Sequence, residues 1–192
     1  MADLTGPLAL RFYAATPQSR LSRLADGAPY WAWLWPGGAA LIGHLAATPG
    51  LAKGRRVLDL GAGSGLVGIA AMECGAASVL ASDIDPVARE VTGMNAALNG
   101  VTLTVTGDLL DAPPPQVDLI LVGDLFYDPE LAARVLPFLS RAAGQGAEVL
   151  VGDIGRANLP ALGPPIASYP VRDFADPPGQ LPRQGRVYRV TG

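Results

Sequence analysis

The chain has 192 residues, a formal net charge of -3, and a composition that is 49% hydrophobic and 16% charged. A chain of this size and composition can bury enough apolar surface for one compact domain, which excludes a disordered chain. The acidic balance excludes a general electrostatic attraction to nucleic acid, and no uninterrupted apolar run is long enough to span a bilayer.

In chain order, residues 1–50 read as a mainly helical extension with a tryptophan-rich loop. Residues 51–192 read as an alternating core, and the whole of 1–192 is expected to form a single domain. Thr16-Pro17 starts a helix running to about Asp26. An aromatic loop over residues 28–38 carries Trp31, Trp33 and Trp35. A helix follows over 38–48 and is stopped by Pro49-Gly50. His44, the only histidine, falls in this helix and is read as structural. The single cysteine, Cys74, has no partner for an internal disulfide and reads as a buried small hydrophobe. A lone thiol fits a reducing compartment, the N-terminus shows no secretory pattern, and the chain is read as cytoplasmic.

From residue 56 the pattern alternates. Strands are predicted over 56–60, 78–82, 101–106, 117–122 and 147–152, with helices over 65–74, 86–99 and 129–143. Two weaker strands, 166–171 and 186–190, have no helix between them and read as an antiparallel edge. Strands alternating with helices of this length imply βαβ units and an α/β, doubly wound, mainly parallel sheet.

Val57-Leu58-Asp59-Leu60-Gly61-Ala62-Gly63-Ser64-Gly65 runs an apolar strand through a glycine turn into a helix. Glycine permits the dihedrals of a tight turn, and the first N–H groups of the next helix have no partners within it. Sheets of this class bind ligands outside the carboxyl ends of their strands. Gly63 to Gly68 satisfies the dinucleotide pattern G-x-G-x-x-G, so a nicotinamide-binding reading competes here. The dinucleotide turn begins right after the strand, however, and counting from Gly61 puts Leu66 where the third glycine belongs.

Three later acids follow the ends of strands. Asp83, eighteen residues after Gly65, ends the second strand, where a carboxylate suits ribose hydroxyls; Asp85 fits the cap of the helix at Pro86. Asp108 follows the third strand, where it and the N–H of Leu109 suit an adenine edge. Asp124 ends the fourth strand and is followed by Phe126 and Tyr127, a setting for a cationic or amine acceptor.

The glycine turn and these three acids, in this order, resemble the seven-strand class of S-adenosylmethionine-dependent methyltransferases over roughly residues 30–155. The resemblance implies a Rossmann-like sheet of order 3-2-1-4-5-7-6 with the seventh strand antiparallel. Trp33-Leu34-Trp35-Pro36-Gly37-Gly38, Asp124-Leu125-Phe126-Tyr127 and Gly152-Asp153-Ile154-Gly155-Arg156 further resemble the lysine methyltransferases of the electron transfer flavoprotein β subunit. That resemblance implies S-adenosylmethionine held by Trp35, Asp59, Gly61, Gly63, Gly65, Asp83, Asp108 and Leu109. Asp124 and Tyr127 would serve the acceptor: Asp124 orients an incoming ammonium, and Tyr127 packs on its alkyl stem. The expected partner is a protein with an exposed lysine, such as the electron transfer flavoprotein β subunit, met by a monomer with no nucleic acid, membrane or metal involved. A ribosomal-protein or small-amine methyltransferase is the alternative. A nicotinamide oxidoreductase lacks a candidate acid–base residue.

Overall fold

The computed structural model describes residues 2–4, 8–15, 19, 29–173, 176–177 and 179–192. Two short strands, β1 (Ala2–Leu4) and β2 (Leu10–Phe12), pair antiparallel. The helix expected from Thr16-Pro17 to Asp26 lies outside the described residues apart from Ser19. The mainly helical reading of the first fifty residues is therefore corrected at β1 and β2. Leu10 and Phe12 are buried and Arg11 between them is exposed, a period of two that a three-residue strand satisfies. Side chains complete the hydrogen bonding of this segment. Asn99 accepts from the Arg11 N–H and donates to its carbonyl, and Asn95 accepts from the Tyr13 N–H.

After a 3-10 turn at Tyr30–Ala32 comes helix α1 (Pro36–Ala47). It starts two residues earlier than expected because Pro36, with no N–H to lose, sits at the first helical position. The core then runs β3 (Arg56–Leu60), α2 (Leu66–Glu73), β4 (Ser78–Ser82), α3 (Pro86–Leu98), β5 (Thr104–Thr106), β6 (Leu119–Gly123), α4 (Pro129–Gly144), β7 (Glu148–Asp153), β8 (Ala167–Val171) and β9 (Arg183–Val190). Asp85 and Asp128 cap α3 and α4 by accepting from the N–H groups of Val87 and Leu131.

The seven core strands lie in the order β5-β4-β3-β6-β7-β9-β8. Counted from β3, this is the expected 3-2-1-4-5-7-6. β9 runs antiparallel to both β7 and β8. Successive residues of the central strands face opposite cores. Val57, Leu119 and Leu121 pack on one side with α1 and α2; Leu58, Ile120 and Val122 pack on the other with Val135, Phe138 and Leu139 of α4. Each such fully buried side chain contributes roughly 1.5–3 kcal/mol over leaving it exposed. This double burial explains why the strands read as continuous apolar runs. It also leaves the carboxyl ends of β3, β4 and β6 as the edge at which polar loops gather.

Candidate functional site

A crevice of about 750 Å³ opens along that edge. One end is lined by Gly61, Gly63, Asp83, Ile84 and Asp108, and the other by Trp35, Asp124, Tyr127 and Arg156. The two ends are continuous.

The glycine turn is held from behind. Gly61, Gly63 and Gly65 have φ of 70°, 53° and 75°, which L-residues with a Cβ rarely adopt. The N–H groups of Gly61 and Ala62 both donate to the Ser82 carbonyl, and that of Gly65 donates to the Ala62 carbonyl. The Gly63 N–H donates to the Asp83 carboxylate at 2.8 Å. These four amides are thus spent within the protein, and the turn offers a ligand shape more than donors. A pyrophosphate would need such donors turned outward.

Asp83 is half-buried, and burial raises its pKa against the N–H groups of Asp85 and Gly63 that it accepts from. Each carboxylate oxygen keeps a further lone pair for a hydroxyl donor. Beside it Ile84 is 70% exposed, an apolar surface inside a polar crevice. Asp108 faces the same end, accepts from the Leu110 N–H and pairs with Arg134 at 2.7 Å.

Three residues expected to hold the cofactor do not face this crevice. Asp59 is fully buried beneath the turn, accepts from the Gly68 N–H at 2.8 Å, and borders only a cavity of about 40 Å³. Burial pushes its carboxyl up to about 7. Gly65 packs on α3, where a Cβ would lie 2.7 Å from Thr92 Cγ2. Leu109 packs toward the α4 side of the core, and its neighbour Leu110 lines the crevice instead.

The other end is built around Asp124. It is the one non-glycine residue with positive φ, 60°, among the described residues. An Asp tolerates this left-handed conformation better than most residues. The bend turns Leu125 back over Gly61 and sends the Asp124 carboxylate under the N-terminus of α1. There it accepts from the Gly38 N–H at 3.0 Å, and the Arg156 guanidinium donates to its other oxygen. The positive end of a helix and a guanidinium both favour a carboxylate. Burial outweighs them and lifts Asp124 to about 6.

Tyr127 is 49% exposed at the crevice mouth while Phe126 is entirely core. The Tyr127 ring lies 5.5 Å from that of Tyr30, which lies 5.7 Å from that of Trp35, whose indole N–H donates to the Tyr30 carbonyl. These three rings form an aromatic rim. His44 is far from it, hydrogen-bonded to the Tyr169 hydroxyl at 2.9 Å. Cys74, expected buried, is partly exposed at the end of α2. Arg183 pairs with Asp176 and Arg189 with Glu148.

Sequence reasoning missed Tyr30, Arg156 and the amide of Gly38. Tyr30 was hidden among four aromatics of one loop. Arg156 had a signal: an acid at the end of a buried strand needs a cation, and Arg156 follows the neighbouring strand end.

Residues 45–124 match the ribosomal protein L11 methyltransferase (PrmA) family. The electron transfer flavoprotein beta subunit lysine methyltransferase of Danio rerio is 46% identical over 134 residues, covering 68% of this chain and 52% of the relative. The same-named protein of Xenopus laevis is 43% identical over 155 residues, covering 77% of this chain and 63% of the relative. The chain thus spans between half and two thirds of the length of these curated relatives. Among solved structures, the ribosomal protein L11 methylase of Lactobacillus delbrueckii subsp. bulgaricus superposes with a TM-score of 0.57 at 24% identity, covering 78% of this chain and 77% of that one. That likeness speaks to the fold.

Proposed function

We propose that the chain, which has the fold of a ribosomal protein L11 methylase and is 43–46% identical over part of its length to electron transfer flavoprotein β-subunit lysine methyltransferases, transfers a methyl group from S-adenosylmethionine to a lysine of a protein such as that β subunit. The observation that carries this reading is the single crevice joining the glycine turn and Asp83 to Asp124 and Tyr127. Residues of the first end would hold a nucleoside, and those of the second would receive the acceptor.

The residues fit this cofactor in three ways. The turn of Gly61 and Gly63 admits the amino-acid part close to the backbone without demanding a phosphate. Asp83 offers two acceptor oxygens to ribose, and Ile84 an apolar face to a flat base. The acids of the crevice suit a cationic sulfonium. Trp35 and Asp108 would complete the nucleoside and methionine walls. Asp59 and Gly65 contribute by holding the turn. When bound, the cofactor supplies a methyl group already activated for displacement.

The protein's task is then alignment of a nucleophile. A free lysine with a pKa near 10.4 costs about 4.6 kcal/mol to deprotonate at pH 7. Asp124 accepts a hydrogen bond from the acceptor nitrogen and orients its lone pair toward the methyl group. Its carboxylate alone would favour the ammonium, so the proton must leave to water or to Asp124 as the crevice closes on the acceptor. Tyr127 and Tyr30 flank the alkyl stem and offer ring faces to the methylated cation. The exposed rim suits a protein-borne side chain more than a fully enclosed small amine.

Isothermal titration with S-adenosylhomocysteine and, separately, NAD tests the cofactor. Micromolar binding of the first and none of the second supports it; binding of NAD alone removes it. Labelled methyl transfer to purified electron transfer flavoprotein β subunit, with ribosomal protein L11 as the competing acceptor, tests the substrate.

A further inference from the structure

The Asp124 carboxylate is not alone at the acceptor end. Arg156, in the loop after β7, donates to Asp124 Oδ1, and the same Nη1 lies 3.7 Å from Asp153 Oδ2. Asp153 is fully buried. Its Oδ1 accepts from the N–H groups of Gly155 and Arg156 at 2.6 and 2.7 Å, while its Oδ2 makes no hydrogen bond among the described residues. One buried acid therefore fixes the backbone of Arg156 and faces its guanidinium. The guanidinium in turn reaches the acid at the end of β6 and borders the crevice.

We propose that Arg156, anchored by Asp153, is the positioning residue of the acceptor end: it fixes the orientation of Asp124 and balances its charge. The proposal rests on the reading of Asp124 given above. Burying a carboxylate without a partner is costly, and burial alone drives such a group toward its neutral form. Neutral, Asp124 would present a hydroxyl to the acceptor nitrogen and lose its preference for an N–H donor. The groups facing Asp124 are few. The Gly38 N–H comes from α1, Asp153 from β7, and Arg156 from the loop beyond it; the turn after β3 presents backbone. Of these Arg156 is the one cation, so it decides the charge of the site. It also places a positive charge beside the reacting nitrogen, which disfavours the ammonium form of the acceptor. Lysine keeps the charge but not the guanidinium's shape and fixed donor directions, so it replaces Arg156 only in part.

The test uses Arg156→Met, Arg156→Lys and Asp124→Asn in the full chain. It reads three quantities: affinity for S-adenosylhomocysteine, the pH profile of kcat/KM with the electron transfer flavoprotein β subunit, and the carboxyl ¹³C titration of Asp124. In Arg156→Met we expect cofactor-product affinity to stay within about threefold while the acid limb and the Asp124 titration both move up by roughly one unit or more, the size of effect a lost neighbouring charge produces. Arg156→Lys restores most of that shift. If Arg156→Met binds S-adenosylhomocysteine normally and leaves the Asp124 titration in place, the proposal is wrong. Should Arg156→Met fail to fold, Arg156→Gln, which also removes the charge, takes its place, and an Asp124 titration left at its wild-type position in that variant overturns the proposal equally. Full transfer by Asp124→Asn would instead remove Asp124 from the mechanism, while the carboxyl titration still decides whether Arg156 sets its charge.

Discussion

The carbonyl oxygen of Gly152 fills the space that a side chain on Gly37 would need. A Cβ on Gly37 would lie 2.1 Å from that oxygen, and a Cβ on Gly152 would lie 2.1 Å from the oxygen of Gly37. At Gly123 a Cβ would likewise meet Gly38 backbone at 3.0 Å. The first turn of α1 therefore rests directly on the ends of β6 and β7, and this contact brings the Gly38 amide onto Asp124.

Gly37→Ala and Gly152→Ala should each destabilise the fold by ~2 kcal/mol or more, since backbone cannot yield as a side chain does. Gly93→Ala is the control of opposite sign. Gly93 lies in α3 with nothing within 4 Å of the place an alanine Cβ would take, and alanine there should stabilise by about 0.5–1 kcal/mol. Urea unfolding of the three variants measures both.

Asp83→Asn should weaken S-adenosylhomocysteine binding about tenfold or more, because hydrogen bonds to a charged group contribute roughly 1.5–3 kcal/mol. The asparagine can still accept from the Gly63 N–H, so the turn should survive and the melting temperature should change little. Calorimetric titration set beside a thermal melt separates the two effects. Unchanged affinity would take ribose recognition away from Asp83.

Tyr127→Phe should keep its ring contact with Tyr30 and nearly wild-type kinetics, whereas Tyr127→Ala should raise KM for the protein acceptor by about fivefold, an aromatic contribution of ~1 kcal/mol. Steady-state kinetics with the acceptor varied at saturating cofactor distinguishes these. A large loss in Tyr127→Phe would mean that the hydroxyl, not the ring, matters.

Asp59 predicts a pH signature in stability. Burial lifts its folded carboxyl from 3.8 to about 7. Between those values the folded state holds a proton that the unfolded state has released, so this group's contribution to stability falls as pH rises from about 4 to about 7 and stays low above. Asp59→Asn removes the titration. The melting temperature of the variant relative to wild type should therefore climb between about pH 4 and about pH 7 and level off beyond. A difference that is flat with pH would show that Asp59 is ionised throughout in the folded protein.

The sheet was legible in the sequence because its strands are buried on both faces. Runs such as Leu119 to Val122 have no amphipathic reading, and the alternation with helices leaves few topologies. That Gly61, Gly63 and Asp83 gather at one edge was legible for a similar reason: they lie at strand ends, where position in the chain determines position in space. Asp59 and Gly65 lie behind the turn rather than on the crevice wall, a distinction that the motif alone does not make. The charge state of Asp124 was not legible, since Gly38, Asp124 and Arg156 meet only after α1 docks on the sheet. β2 was missed because it and the residue after it complete their hydrogen bonding on Asn99 and Asn95, more than eighty residues away.

The order of the site along the chain has a consequence for how such proteins diversify. Gly61, Gly63, Asp83 and Asp108 all precede Ala112, and Asp124, Tyr127 and Arg156 all follow it. The loop from Ala112 to Gln116 is thus a seam between a half that would choose the donor and a half that would choose the recipient. A chimera joined there inherits each preference from a separate parent, with obligations across the seam: Tyr30 of the first half meets Tyr127 of the second, and Asp108 meets Arg134. The Pro36-Gly37-Gly38 turn comes from the donor half but clasps the recipient half, so it must be transplanted together with whatever acid ends β6.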